Sequence, residues 1–324
     1  MSDPRASELA VVAESLGKRF GATTALGAVT FDVRSGELFG FIGPDGGGKT
    51  TLFRILTTLL VPDAGRAEVL GLEVTANLWQ LRRRVGYMAG RFSLYPDLSV
   101  RENLDFFASV FGTTVEREYA QIEPIYRQIE PFATRRASDL SGGMKQKLAL
   151  CCALVHRPDI LFLDEPTTGV DAVSRREFWD LLASLKASGL TIVVSTPYMD
   201  EAARCDRIAL IQKGKILAID TPDAVIESFG RPLFTVHAAE RHQVLGVVRQ
   251  YPETDWVYPF GETLHFTDRR REIAGTDAAA QLERFLHEQG VADAKVATAP
   301  ATIEDVFIDR MGAPEAPEPA GAPA

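Results

Sequence analysis

No stretch of this 324-residue sequence approaches the ~20 consecutive apolar residues needed to cross a bilayer. The N-terminus also lacks the basic, apolar, small-residue order of a signal peptide. The chain therefore reads as soluble by itself; if it serves a membrane process, another chain supplies the membrane part. Positive charge is in deficit, with 35 Lys and Arg against 44 Asp and Glu and a net charge of -9. That argues against a nucleic-acid surface as the main business, and no nucleic-acid partner is expected. Cysteine is scarce. Cys151, Cys152 and Cys205 show no metal-ligand spacing and read as reduced core thiols of a cytosolic protein. The five histidines, at 156, 237, 242, 265 and 287, are too scattered for a metal site. What remains is ordinary for a globular protein, 46% apolar and 24% charged, with length enough for two domains.

One stretch organises the rest. Gly43-Pro44-Asp45-Gly46-Gly47-Gly48-Lys49-Thr50-Thr51 has a glycine, four free positions, then Gly-Lys-Thr, the pattern of a phosphate-cradling P-loop. The apolar run Leu38–Ile42 before it reads as a buried strand, and Leu52–Leu56 after it keeps helical spacing. Glycines at 43, 46, 47 and 48 can take the torsions that aim several N–H groups into one concavity. A helix N-terminus adds partial positive charge, Lys49 a full one and Thr50 a hydroxyl ligand for magnesium. The loop is expected to bind a nucleoside triphosphate.

Along the chain, residues 1–8 read as a flexible start. Strands are expected at Leu9–Val12, Val29–Val33, Leu38–Ile42, Val85–Met88, Ile160–Leu163, Thr191–Ser195 and Ile208–Gln212. Helices are expected after the P-loop, at Leu78–Arg84, from a Ser99/Glu102 capping box to about Phe111, over 115–132, and near 144–156, 174–187 and 199–204. The loop from Ala89 to Leu98 carries Phe92, Leu94 and Tyr95, three large apolar side chains expected to form an exposed patch. Ser141, Gly142 and Gly143 open a helix and form a second candidate phosphate cradle. The strand at 160–163 delivers Asp164 and Glu165 at its C-terminal end, which suggests a magnesium ligand followed by a general base. The fold class is α/β: a mostly parallel sheet with a helical lobe at about 89–145, filling 9–228. Residues 229–311 read as βαββαβ, a small ferredoxin-like α+β domain, and 312–324 as a disordered Ala/Pro tail.

Together Gly43–Thr51, Leu140–Gln146 and Leu161–Pro166 resemble the ATP-binding subunits of ABC transporters over about 9–228. In flavour they are similar to ABC-2 exporter ATPases of the daunorubicin-resistance type, whose C-terminal extension ends in a segment like Ala301–Phe307. The resemblance implies that Gly43, Asp45, Gly46, Gly47, Gly48, Lys49, Thr50 and Thr51 hold ATP, with Phe20 stacked on the adenine. It implies Thr50 and Asp164 as Mg2+ ligands and Glu165 as the residue polarising the attacking water. Ser141–Gly143 would be a signature motif acting on the ATP of a second ATPase subunit, homo- or heterodimeric, and Asp171 would belong to the D-loop. The Phe92–Leu98 loop would dock a helix of an ABC-2-type membrane permease, with the ATPase peripheral on the inner face of the membrane. Two positions depart from the family pattern. Gly90 stands where the family has a glutamine and Pro197 where it has a histidine, and neither side chain hydrogen-bonds. A weakened hydrolytic site is then one expectation, with Gly90→Gln and Pro197→His together raising turnover; tolerance of both losses is the other. Beside an exporter subunit, two other functions stay open: a soluble non-transport ABC ATPase and an ATP-binding regulatory module.

Overall fold

The computed structural model describes residues 9–90, 94–270 and 273–312; the expectations for 1–8, for Phe92 and for 313–324 lie outside these. The chain forms two units, one reaching Pro222 and one starting at Asp223. Residues 223–228, read from sequence as the end of the first domain, count with the second. Pro222 begins a new short helix there (Pro222–Glu227), a position where the missing proline N–H costs nothing.

The strands of the first unit are β1 (Leu9–Phe20), β2 (Thr23–Arg34), β3 (Leu38–Ile42), β4 (Ala64–Val69), β5 (Leu72–Glu73), β6 (Val85–Met88), β7 (Ile160–Asp164), β8 (Thr191–Thr196), β9 (Arg207–Gln212) and β10 (Lys215–Asp220). One sheet has the order β2-β1-β4-β5 and is antiparallel. The other has the order β10-β9-β3-β8-β7-β6, parallel except for β10 at its edge. β1 and β2 are far longer than expected, and β4, β5 and β10 were not foreseen. Register shifts between Ala13 and Leu16 and again before Lys18 break the period-two alternation by which strands are read.

The helices are α1 (Lys49–Leu56), α2 (Leu78–Arg82), α3 (Val100–Val110), α4 (Val115–Tyr126), α5 (Gly142–Leu154) and α6 (Ala172–Ala187). The Ser99/Glu102 capping box forms as its spacing predicts. The helix expected to reach 132 stops at Tyr126, two residues after an internal proline, Pro124. All residues of β3 and β7 are buried, as the helix-covered strands of a parallel sheet must be. Phe53 on α1 lies edge-on to Phe41 of β3 and Phe162 of β7, at 5.9 and 5.7 Å. Burying such a side chain contributes about 1.5–3 kcal/mol. It fixes the helix whose N-terminus completes the phosphate loop.

The second unit contains α7 (Pro222–Glu227, from its second residue), β11 (Leu233–His237), α8 (Arg241–Gln250), β12 (Thr254–Phe260), β13 (Thr263–Asp268), α9 (Gly275–Glu288), β14 (Lys295–Ala299) and α10 (Ile303–Met311). The sheet order is β12-β13-β11-β14, antiparallel throughout, which is the βαββαβ arrangement with a terminal helix added. Phe234, Val236, Val257, Leu264 and Phe266 pack with Val244, Val248, Leu282 and Leu286 of α8 and α9. Tyr258 and His265 instead meet Asp305 of α10.

Candidate functional site

The backbone turns sharply between β3 and α1. Gly46 and Gly48 take positive φ, 75° and 102°, two of the four glycines for which that freedom was expected. At Gly48 a Cβ would stand 2.5 Å from the Ala25 carbonyl oxygen, so no other residue fits. Gly43 N–H donates to the Thr196 carbonyl (3.2 Å) and Gly47 N–H to that of Pro44 (3.1 Å). Lys49 is buried and folds back over the loop, donating through Nζ to the carbonyls of Gly43 (2.7 Å) and Pro44 (3.0 Å) and pairing with Glu165 Oε1 at 3.1 Å. A cavity of about 250 Å³ opens here, walled by residues 46–51, Glu165, Phe20 and Thr23–Ala25. Phe20 is 52% exposed at its lip, with Lys18 Nζ 5.7 Å from the ring centre. Asp45 is exposed on the loop itself.

The acidic pair arrives from β7. Asp164 is buried and its Oδ1 accepts from Ser195 Oγ at 2.7 Å. Glu165 adopts φ 51°, a left-handed conformation that a glutamate pays for in strain and that active sites often contain. Its N–H donates to both Ser195 O and Ser195 Oγ (3.1 Å each). Ser195 thus orients the Asp164 carboxylate and holds the Glu165 backbone, and nothing in the sequence pattern pointed to it. Tyr87 on β6 is pushed up to about 12, by burial first and by the charge of Asp164 second.

The remaining expected residues do not line that cavity. Ser141 caps α5, its Oγ accepting from Met144 N–H at 3.3 Å. Gly142 lines a separate cavity of about 230 Å³ with Gly90, Gln146 and Gly169; Gly143 abuts Ser174 closely enough that a Cβ would stand 2.7 Å from its Oγ. The cavity that Gly142 lines is thus not the one walled by the 46–51 loop. Asp171 caps α6 through bonds from Val173 and Ser174 N–H, and those from Ser174 foremost hold its carboxyl below the usual range. Pro197 follows β8, half-buried. Gly90 has a steric role the sequence did not reveal. A Cβ there would stand 2.8 Å from the Asp164 carbonyl oxygen, so a glutamine cannot be restored without displacing the backbone beside Asp164.

The expected exposed patch needs correction. Leu94 is only 6% exposed, while Tyr95 is 47% exposed and packs on Phe106 at 4.7 Å. Buried Asn103 holds the loop backbone here: its side chain accepts from Tyr95 N–H and donates to the carbonyls of Tyr95, Leu98 and Ser99. A larger apolar groove, about 460 Å³, lies nearby, with Leu59, Trp79, Phe107, Val110 and Phe111 among its walls. His156, also in its wall, stacks on Phe111 at 3.8 Å, donates through Nε2 to the Val85 carbonyl at 3.1 Å, and is held below its ordinary value by burial.

A phosphate-cradling loop, its lysine and two carboxylates at the end of a parallel-sheet strand define a P-loop nucleotide-binding protein. A family model described as ABC transporter matches residues 26–168. The chain is 34% identical over 313 residues to the daunorubicin resistance ATP-binding protein DrrA3 of Streptomyces coeruleorubidus, covering 94% of this chain and 97% of that one. It is 47% identical over 221 residues to the probable multidrug ABC transporter ATP-binding protein YbhF of Escherichia coli K12, a match over 67% of this chain but only 38% of that relative. Among solved structures, a dimeric ATP-binding cassette in a post-hydrolysis state with ADP and Pi superposes with a TM-score of 0.59 at 26% identity, over 65% of this chain and 98% of that one. The chain belongs to the ABC transporter family, as an ATP-binding subunit. No helix among the described residues is long and apolar enough to cross a membrane.

Proposed function

We propose that this chain binds and hydrolyses ATP to drive export through a separate membrane subunit. The observation that carries this reading is the convergence of Lys49, Glu165 and the 46–51 loop on one cavity with Phe20 at its lip. In this reading Phe20 stacks on the adenine, and the loop N–H groups with Lys49 hold the phosphates. Mg2+ suits the oxygen donors present: Thr50 and Asp164 would hold it, and bound there it neutralises charge on the phosphates. Glu165 orients the attacking water and accepts its proton. The place of Gly142 in a cavity other than that of the phosphate loop supports a sandwich dimer in which each signature serves the other subunit's ATP. The exporter relatives support an export role, and the 38% coverage of YbhF leaves the activity of that longer chain outside this inference.

The groove with Trp79 (75% exposed) and Val110, continued by Tyr95 and Phe106, is the surface we assign to the membrane partner. It replaces the Phe92–Leu98 loop alone, since Leu94 points inward. Trp79→Ser with Val110→Ser should release the chain from a co-purifying ABC-2-type permease and leave ATP binding unchanged. Retention of the permease by the double variant would remove this assignment.

A second reading, a weakened site completed by a paralogous ATPase, is favoured by Gly90 packed on Asp164 and by Pro197. Steady-state ATPase of the purified chain, alone and with its membrane partner, separates the readings, with Lys49→Ala as control. Lys49→Ala should fold normally and lose about 10- to 100-fold in ATP affinity, the value of a charge-assisted contact. Unchanged affinity in a folded variant would reject the ATP-binding assignment.

A further inference from the structure

One buried carboxylate joins the loop that follows β7 to the end of β8. Glu201, 4% exposed, lies in the 3-10 turn Met199–Arg204. It accepts from Thr167 Oγ1 at 2.9 and 3.1 Å and from Thr196 Oγ1 at 2.5 Å. Thr167 lies two residues beyond Glu165, and Thr196 ends β8 immediately before Pro197. Thr196 Oγ1 also accepts from Tyr198 N–H (3.1 Å), and its carbonyl accepts from Gly43 N–H (3.2 Å). Both threonines are buried, and among the described residues no Lys, Arg or His forms an ion pair with Glu201. A buried carboxylate without a cation is costly unless donors satisfy it. Here two hydroxyls do so, one from the loop after β7 and one from the end of β8.

We propose that Glu201 is a positioning residue of the nucleotide site. It holds the 165–168 loop and the 196–198 turn in fixed register with the start of the phosphate loop, and so holds Glu165 in its strained conformation. It touches no nucleotide. In a chain whose residue 197 is a proline, with no side-chain hydrogen bond to anchor that turn, the Thr196–Glu201 contact and the Gly43–Thr196 backbone bond tie it to the site, beside the turn's own bonds from Tyr198 N–H to Thr196 Oγ1 and from Glu201 N–H to the Tyr198 carbonyl. The proposal rests on the ATPase reading above.

The test uses the full chain with Glu201→Ala, Glu201→Gln and Thr167→Val. Amide hydrogen exchange without nucleotide is followed in peptides spanning 164–171 and 195–200, beside ATP affinity, kcat and KM. Glu201→Ala should speed exchange in those two segments by about tenfold or more, the loss of charge-assisted bonds, and leave α1 and the second unit unchanged. ATP affinity should persist while kcat falls by a similar factor and KM stays put. Glu201→Gln, whose amide oxygen still accepts from a hydroxyl, should recover part of both losses. Thr167→Val should loosen 164–171 alone. Wild-type exchange in Glu201→Ala would overturn the proposal. So would acceleration spread evenly over the first unit, since that marks an ordinary packing role. If the wild-type chain binds no ATP, the functional reading fails separately, and the nucleotide-free exchange still decides whether Glu201 clamps these loops.

Discussion

Both units bury charge, and they do so to different ends. In the first unit Lys49, Asp164 and Glu165 gather where strands end, beside a cavity walled by backbone N–H groups and Phe20. In the second unit Asp305 is completely buried. Its Oδ1 accepts from His265 Nδ1 (2.7 Å) and Tyr258 OH, and its Oδ2 from Thr302 N–H (2.8 Å) and Oγ1 (2.6 Å). Four residues later on the same face of α10, Asp309 takes Arg231, which also pairs with Asp255 and lies between Phe229 and Trp256. A Tyr-His-Asp cluster could pass for catalytic machinery. Both of its carboxylate oxygens are used internally, and Asp305 has no exposed surface. The difference teaches that burial of a carboxylate marks a functional site only where its partners face a space a ligand can enter.

The contrast breaks most visibly at Asp305. Asp305→Ala should destabilise the second unit by about 3–5 kcal/mol, because it strands buried donors on Tyr258, His265 and Thr302. It should leave ATP binding by the first unit intact, checked by urea unfolding followed at Trp256 beside nucleotide titration. Burial pushes the Asp305 carboxyl up, but the bonds from His265, Thr302 and Tyr258 outweigh it and hold it below its ordinary value of 3.8. A depressed carboxyl contributes stability that is complete above that ordinary value and is lost as pH falls through the lower folded value. The second unit should therefore lose stability below about pH 4, and Asp305→Asn should flatten that acid limb. An unchanged limb would place the acid sensitivity elsewhere.

A smaller effect sharpens the other side. Gly90→Gln should not raise turnover, despite returning a polar side chain to that position. Its Cβ would press on the Asp164 carbonyl, costing about 1–3 kcal/mol, read as a lowered melting temperature with kcat no higher than wild type. A faster enzyme would mean that the chain beside Asp164 yields readily.

Much of the geometry of the candidate site was legible because its information is local. The 43–51 loop, the strand before it and the helix after it are consecutive, so spacing and glycine content report on one another. Asp164 and Glu165 follow an unbroken apolar strand, and the Ser99/Glu102 box is set by a three-residue spacing. The βαββαβ order of the second unit was equally visible, since each of its elements has a clean period. Elsewhere the signal was nonlocal. Ser195 reaches Asp164 across 31 residues and Glu201 reaches Thr167 across 34, and neither residue type announces a partner at that distance. Leu94 and Tyr95 are neighbours of similar character, and only the folded loop, its backbone held by Asn103 and Tyr95 packed on Phe106, turns one inward and the other out. The absence of polar side chains at 90 and 197 was plain in the sequence. That Gly90 is held to glycine by the Asp164 backbone was decided by tertiary packing, because the approach that would leave a Cβ only 2.8 Å from the Asp164 carbonyl oxygen exists only once the sheet has formed.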